Sequence, residues 1–322
     1  MIRPSFPCHQ TLLASAKSVF CGALLMSCGQ EPTPVNNAER PLLATTPPVA
    51  RMVEAIMGQP VDRLIPDGME AKEWTPSELQ LVQMSKSFLI SNGRGFEAKL
   101  RRYDLPRTSW LRSANLLAEP PVLHDVVEHQ HGPEGAHSHG VVDGHTWVDP
   151  QTAGKQLEAI RQRLVQEGFC SEEQSRQNVR PLVDQLQQIH QAFSEIDPQS
   201  IVFYANRAVY DYLARTHGWN ITSFDFDPES PLPEEVASEL VPMKESCIFL
   251  LESAPGPELV EDLGKLQITH VVLPIGANMS SDEQWPEGLA TGAERLQNAI
   301  NTLFAPEKGS IEALISLNSL PR

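Results

Sequence analysis

Basic side chains are scarce in this sequence of 322 residues. There are 25 Lys and Arg against 41 Asp and Glu, which gives a formal net charge of -16. A protein that binds nucleic acid needs a basic face for the phosphates, so this class of function is excluded. No apolar run approaches the ~20 residues that an ordinary membrane-spanning helix requires. The five cysteines form no CxxC or Cys–His pattern, which excludes a cysteine metal site.

The common catalytic signatures are also absent. The sequence contains no GxSxG, HExxH, P-loop or GxGxxG motif. We therefore predict that the chain is not an enzyme. A metallohydrolase built on His145 and a carboxylate is the least favoured hypothesis, because no general base accompanies a metal motif.

The first residues resemble a bacterial export signal. Residues 1–27 contain Arg3 and Lys17 and no acid, and an apolar run extends from Val19 to Met26. The sequence Leu-Met-Ser-Cys that ends at Cys28 is typical of a lipobox, which predicts cleavage before Cys28 and diacylation of its thiol. A plain signal peptide with an accidental cysteine and a buried first helix are the alternatives. The polar residues 28–41 are predicted to form a flexible tether to the folded domain.

Cys170 and Cys247 are the two cysteines that remain after such processing. In an oxidising compartment they could form a disulfide. Two separate buried thiols are the favoured alternative.

Short apolar runs alternate with helical periods along the rest of the chain. This alternation predicts an α/β fold with two Rossmann-like lobes, parallel sheets and helical crossovers. Strands are predicted at residues 42–46, 61–65, 87–91, 109–112, 201–205, 221–226, 247–251 and 270–274. The segment TPSE predicts a helix start with Thr75 as the N-cap, Pro at N1 and Glu at N3.

A long helix is predicted over residues 171–196. Its apolar residues recur at helical spacing on one stripe, and its length suits a rigid connection between lobes. The stripe comprises Val179, Leu182, Val183, Leu186, Ile189, Phe193 and Ile196. The predicted domains are therefore an N-terminal lobe at 42–168, the linking helix, a C-terminal lobe at 199–304 and a tail at 305–322.

A long loop rich in His, Gly and acids interrupts the first lobe at residues 118–145. Six of the ten histidines fall within it, and carboxylates lie between them. Neutral imidazole is a good ligand for zinc and similar ions, so the composition predicts metal capture. The predicted loop ligands are His124, His129, His131, His137 and His139. A solvated, disordered loop without a metal and a pH-sensitive loop are the alternatives.

A tighter site requires ligands that are held by rigid elements. His145 directly precedes the predicted helix entry at Trp147–Pro150, and packing on Trp147 is its alternative role. Carboxylates at strand ends should face the cleft between the lobes. These candidates are Glu70, Asp225, Asp227 and Glu252. His190 has no nearby partner in sequence, and the isolated His217 and His270 are predicted to be structural.

From about Leu42 to Phe304 the chain resembles the cluster A-I solute-binding proteins of zinc and manganese ABC importers. The resemblance rests on the segments TTPPVARMVEAIMG, IPDGMEAKEWTPSELQ, SFLISNGRGFEAKL, HGPEGAHSHG, HTWVDP and RAVYDYLARTHGWN. The resemblance implies a lipid-anchored periplasmic or envelope protein with two lobes, a rigid linking helix and metal in the cleft. It also implies zinc, with manganese as the second candidate, and delivery to an ABC permease. We expect a monomer.

The sequence departs from the pattern of that family at three of its usual ligand positions. Glu70 stands where members usually carry a first histidine, whereas His145 matches the second. Arg207 aligns with the third histidine, and a carboxylate near the last strand aligns with Leu273 or Pro274. Since arginine stays protonated it cannot bind a metal. The alternative function is therefore a non-transport lipoprotein with a degenerate cleft, acting as a low-affinity zinc buffer or a partner-binding module.

Overall fold

The computed structural model describes residues 40–124, 142–197, 201–277 and 284–304, which all belong to one compact unit. Two four-stranded parallel sheets form its framework, as the alternation predicted. The first half of the chain contributes β1 (Leu42–Ala44), α1 (Pro47–Met57), β2 (Asp62–Arg63), α2 (Glu78–Lys86), β3 (Phe88–Ser91) and β4 (Trp110–Arg112). Within the described residues, no helix is both long enough and apolar enough to cross a bilayer.

The second half repeats the same plan. It contributes β5 (Val202–Ala205), α5 (Asp211–His217), β6 (Ile221–Ser223), α6 (Glu234–Leu240), β7 (Cys247–Leu251), α7 (Pro257–Leu266), β8 (His270–Val272) and α8 (Glu287–Leu303). The strand orders are β2-β1-β3-β4 and β6-β5-β7-β8. In each sheet the order reverses between two central strands, and the carboxyl ends at that point form the crevice where α/β proteins bind ligands.

Two helices connect the halves, α3 (Pro150–Gln166) and α4 (Glu172–Ser194). Ser171 caps α4 through a bond from the Gln174 backbone N–H to its Oγ at 3.2 Å. The helix packs against α1, α3 and α8, so it is shared by both halves. One continuous apolar core accordingly extends from β1 through α4 to α8. The stripe is buried as predicted except at Val183, which is 40% exposed because it lies at the stripe's edge.

The start of α2 differs from the prediction by two residues. Ser77, not Thr75, is the N-cap, and Glu78 lies in the first turn. Gln80 explains the shift, because its side chain accepts from the Ser77 N–H at 3.0 Å while its own N–H donates to Ser77 Oγ at 3.3 Å. This reciprocal pair satisfies two orphan donors at the start of the helix.

Several strands are shorter than predicted, although backbone hydrogen bonds to the neighbouring strand continue beyond their ends. The predicted strand 61–65 is a strand only at Asp62–Arg63, and the Leu64 N–H then donates to the Ala44 carbonyl at 3.0 Å. The predicted strand 221–226 is a strand only at Ile221–Ser223, and the Phe224 N–H then donates to the Ala205 carbonyl at 2.9 Å. Cys170 and Cys247 are free thiols, as favoured. Burial raises the pKa of Cys247 to about 11 and also raises the pKa of Cys170, so neither thiol is reactive near neutrality.

Trp147 connects the first half of the chain to the second through two hydrogen bonds. Its fully buried indole donates from Nε1 to the carbonyl of Ile275, just beyond β8, at 2.7 Å. The carbonyl of Trp147 in turn accepts from Trp285 Nε1 at 3.1 Å. These bonds fix the turn that carries His145 relative to the second sheet.

Candidate metal centre

Arg207 lies where the cleft carboxylates meet. It follows β5, and Glu252 follows β7, so both stand at the reversal point of the second sheet. Arg207 Nη1 donates to Glu70 Oε1 at 2.7 Å and to Glu252 Oε1 at 2.9 Å, and its Nε lies 3.9 Å from Asp225 Oδ1. Three of the predicted ligands therefore surround a guanidinium, which occupies the place of a cation.

The electrostatics of this cluster follow from burial and pairing. Burial alone would raise the pKa of Glu70, but hydrogen bonds from Arg207 and Lys72 outweigh it and hold the pKa below its usual value. Burial would lower the pKa of Arg207, but the hydrogen bonds and negative charges of Glu70 and Glu252 outweigh burial and raise it overall. Both partners are therefore held in their charged forms.

The remaining predicted strand-end acid, Asp227, has a local contact. Its Oδ1 accepts from the backbone N–H of Glu229 at 2.9 Å, and the side chain is exposed. This bond stabilises the turn that follows β6.

His145 is held rigidly at the entry to α3. Asp143 Oδ1 lies 2.8 Å from His145 Nδ1 and also accepts from the His145 backbone N–H at 2.8 Å. The ring packs against Phe96 and Trp147, with centroids 5.1 and 5.4 Å away. A carboxylate on one ring nitrogen orients a histidine and leaves the other nitrogen, Nε2, as the atom that could bind an ion.

Asp143 also belongs to a group with His124 and Asp211. Each of these three residues offers one ligand atom, and those atoms lie within 4.8 Å of one another. His124 Nδ1 contacts Asp211 Oδ2 at 2.7 Å. Asp143 is 1% exposed, and its buried Oδ2 has no hydrogen-bond partner among the described residues. The hydrogen bond that the His124 ring donates to Asp211 raises the pKa of His124, although burial opposes it.

This group stands at the base of the His-rich loop. Leu123 and Val142 form an isolated antiparallel bridge, so the described residues on either side of 125–141 lie at neighbouring positions. His129, His131, His137 and His139 lie outside the described residues. Asp211 begins α5 in the second half of the chain, so the group draws ligands from both halves.

A second group of the same kind unites Asp149, His190 and His217. These two groups are the sets of three or more clustered ligands found in the described parts of the chain. Neither includes His145, Glu70, Asp225, Asp227 or Glu252. Sequence reasoning missed Asp211, since nothing nearby marks the start of α5 as a site, and did not select Asp143, whose spacing of two from His145 was the available signal.

Two parallel α/β halves that share a long helix form the two-lobe architecture of solute-binding proteins. Residues 42–299 match the family model described as ZnuA, "Zinc-uptake complex component A periplasmic", and the chain belongs to this family. The resemblance predicted from the sequence is thereby confirmed. The family consists of binding components, in agreement with the prediction that the chain is not an enzyme.

Among curated relatives, the zinc-binding lipoprotein AdcA of Streptococcus pneumoniae is 23% identical over 318 residues. That alignment covers 94% of this chain and 62% of AdcA, so the chain spans about three fifths of the relative's length.

Solved structures share the fold. The Zn(II)-bound ZnuA-like domain of AdcA superimposes with a TM-score of 0.66 at 18% identity and covers 81% of this chain and 98% of the domain. The metal-dependent lipoprotein YcdH of Bacillus subtilis gives 0.67 at 16% identity, with 81% and 99% covered. FpvC of Pseudomonas aeruginosa, in complex with Mn²⁺, gives 0.65 at 18% identity, with 82% and 99% covered.

Proposed function

We propose that this chain captures zinc outside the cytoplasm and delivers it to an ABC permease, with manganese as the second candidate cargo. The family match supports importer delivery over the alternative of a zinc buffer or partner-binding module. The observation that carries metal capture is the group formed by His124, Asp143 and Asp211. The zinc-binding and manganese-bound relatives support the choice of cargo.

The chemistry of this group suits a divalent ion. One imidazole and two carboxylates form a mixed N/O donor set of the kind that zinc accepts. The carboxylate oxygens in this set also suit manganese. Asp143 is held by His145 through Oδ1, which leaves the buried Oδ2 for the ion. In this proposal His145 belongs to the site and acts by positioning Asp143. Ligands from both halves of the chain make bound metal a link between them.

The predicted cleft acids have a different role in this proposal. Glu70, Asp225 and Glu252 hold Arg207, and Asp227 shapes the turn beside it. A cation there would face the guanidinium charge, so the metal binds at the loop base instead. His129, His131, His137 and His139 supply it by collecting metal close to that base. Diacylation at Cys28 would anchor the protein to the envelope, which the lipoprotein relatives support.

Loss of one ligand at the loop base should weaken the tightest zinc site. Removing an outer-sphere partner of a ligand typically costs 10–100-fold in metal affinity, so we expect roughly 100-fold or more for Asp211→Asn or His124→Gln. Competition with a chromophoric chelator measures this change on the full mature chain. Asp184→Asn, an exposed acid on α4, is the matched control and should bind as the wild type does. Unchanged affinity in both ligand variants would refute the assignment.

Excising the loop should separate the two kinds of zinc binding. Since Leu123 and Val142 are bridge partners, a short Gly-Ser linker can replace residues 125–141 while His124 and Asp143 stay in place. We expect the weak zinc equivalents to disappear and the tight binding at the loop base to remain. Calorimetric titration of the excised and intact chains measures both. If the tight equivalent disappeared with the loop while the fold was retained, the site would lie in the loop.

A further inference from the structure

We propose a second metal site, formed by Asp149, His190 and His217, that takes Zn²⁺ as a structural ion. The three residues each offer a ligand atom, and these atoms lie within 4.8 Å of one another. They come from three separate elements: the N-cap of α3, the body of α4 and the last residue of α5. The site shares no residue with the loop-base group or with the Arg207 cluster.

Unpaired buried atoms point to a missing ligand here. Asp149 Oδ1, His190 Nδ1 and His217 Nε2 are all buried without a hydrogen-bond partner in the described part of the chain. Asp149 is 0% exposed. A buried polar atom without a partner costs free energy, so three from residues that cluster in space call for a common partner. A cation that accepts lone pairs from all three resolves the deficit.

The second carboxylate oxygen of Asp149, Oδ2, accepts three hydrogen bonds, and these fix the orientation of the side chain. Oδ2 accepts from the Thr152 backbone N–H at 2.9 Å, from Thr152 Oγ1 at 2.6 Å and from Thr216 Oγ1 at 2.8 Å. Since the hydrogen bonds engage one oxygen, Oδ1 remains for an ion. Hydrogen bonds to a ligating carboxylate are the usual support of a metal site.

The two imidazoles are also prepared for a metal. Their rings lie 5.1 Å apart between centroids, and Phe193 and Trp219 flank His217 at 5.9 and 5.8 Å. Two histidines and one carboxylate with a water match the zinc preference for four N/O ligands. Ligand bonds of about 2.0–2.2 Å would draw the three side chains slightly inward.

Such an ion would fasten three helices at the junction of the two halves. Asp149 lies two residues after Trp147, which is bonded to the second half, and α4 runs alongside both. Sequence reasoning took His217 as structural and found no partner for His190. The fold brings them together across 27 residues of chain and adds Asp149 from a third element.

Zinc counting on single-site variants tests the proposal. The mature chain is loaded with Zn²⁺, passed through a desalting column and analysed for metal per chain. His190→Gln combined with His217→Gln should lose one equivalent, whereas Asp211→Asn should lose a different one, so the two proposals fail separately. His270→Gln, a half-buried histidine outside both groups, is the matched control and should lose none. An unchanged zinc count in the double variant would overturn the site.

Two further measurements keep the result independent of folding defects in the variants. At about a hundredfold excess over Kd, Zn²⁺ binding at this site should raise the unfolding midpoint by roughly 5–10 °C, including in the Asp211→Asn chain. Crystals of the zinc-loaded wild type should show anomalous scattering at the zinc edge between Asp149, His190 and His217. A water molecule at that position in zinc-loaded crystals would refute the proposal.

Discussion

Arg207→His is expected to give the chain a further zinc site. The substitution releases Glu70 and Glu252 from their bonds at 2.7 and 2.9 Å and places an imidazole beside them. A unit positive charge ~4 Å from a divalent ion opposes its binding by ~8 kcal/mol at an effective dielectric constant of ~20, which is roughly a millionfold in affinity. Zinc titration of the mature variant should therefore detect one more tight equivalent than in the wild type.

Two companion variants separate the charge from the new ligand. Arg207→Gln removes the guanidinium without adding a nitrogen ligand, and should gain at most weak binding through the acids. Adding Glu252→Gln to Arg207→His removes a carboxylate that is only 10% exposed and should abolish the gain. If the Arg207→His chain binds no additional zinc, the arginine is not what keeps metal out of the cleft.

The largest loss of stability is expected for Trp147→Ala. The side chain is 0% exposed, and truncating a buried aromatic residue costs about 3–5 kcal/mol. The variant also leaves the carbonyl of Ile275 without its donor at 2.7 Å. Because the indole joins the two halves of the chain, urea unfolding followed by circular dichroism should show the loss as a lower midpoint.

Two other substitutions test the contribution of the Trp147 N–H and the importance of its location at the junction of the two halves. Trp147→Phe keeps most of the volume and removes the N–H, which should cost about 1–3 kcal/mol. Trp110→Ala removes a half-buried indole that bonds Ser91 Oγ within the first sheet, and should cost less than Trp147→Ala. Equal losses at Trp110 and Trp147 would contradict a special role for the junction.

The sequence predicted the fold well, because the fold depends on local patterns. The apolar period of α4 and the buried run Cys247–Leu251 are each visible within one segment. The start of α2 was misplaced because Thr75 and Ser77 are both acceptable caps, and the decision depends on Gln80. Pairing, which sets strand length, depends on neighbours elsewhere in the chain, so strand ends were less accurate.

The site could be predicted only in part, for a physical reason of the same kind. The strand-end rule selected Glu70 and Glu252, which both contact Arg207, but these contacts join residues 137 and 45 positions apart. His124 and Asp211 meet only because α5 begins beside the loop base. His145 was located by its helix entry, whereas its bond to Asp143 emerged from the turn geometry.

The bridge between Leu123 and Val142 has a consequence for how much metal the protein can collect. A loop that starts and ends at adjacent positions can change its length without moving the fold. Each doubling of length adds only about 0.6 kcal/mol of closure entropy. In the proposed function, the capacity to collect metal depends on the number of loop histidines, and it can therefore change without changing the stability of the framework. Longer or shorter loops can therefore be exchanged between chains while the proposed site at the loop base keeps its affinity.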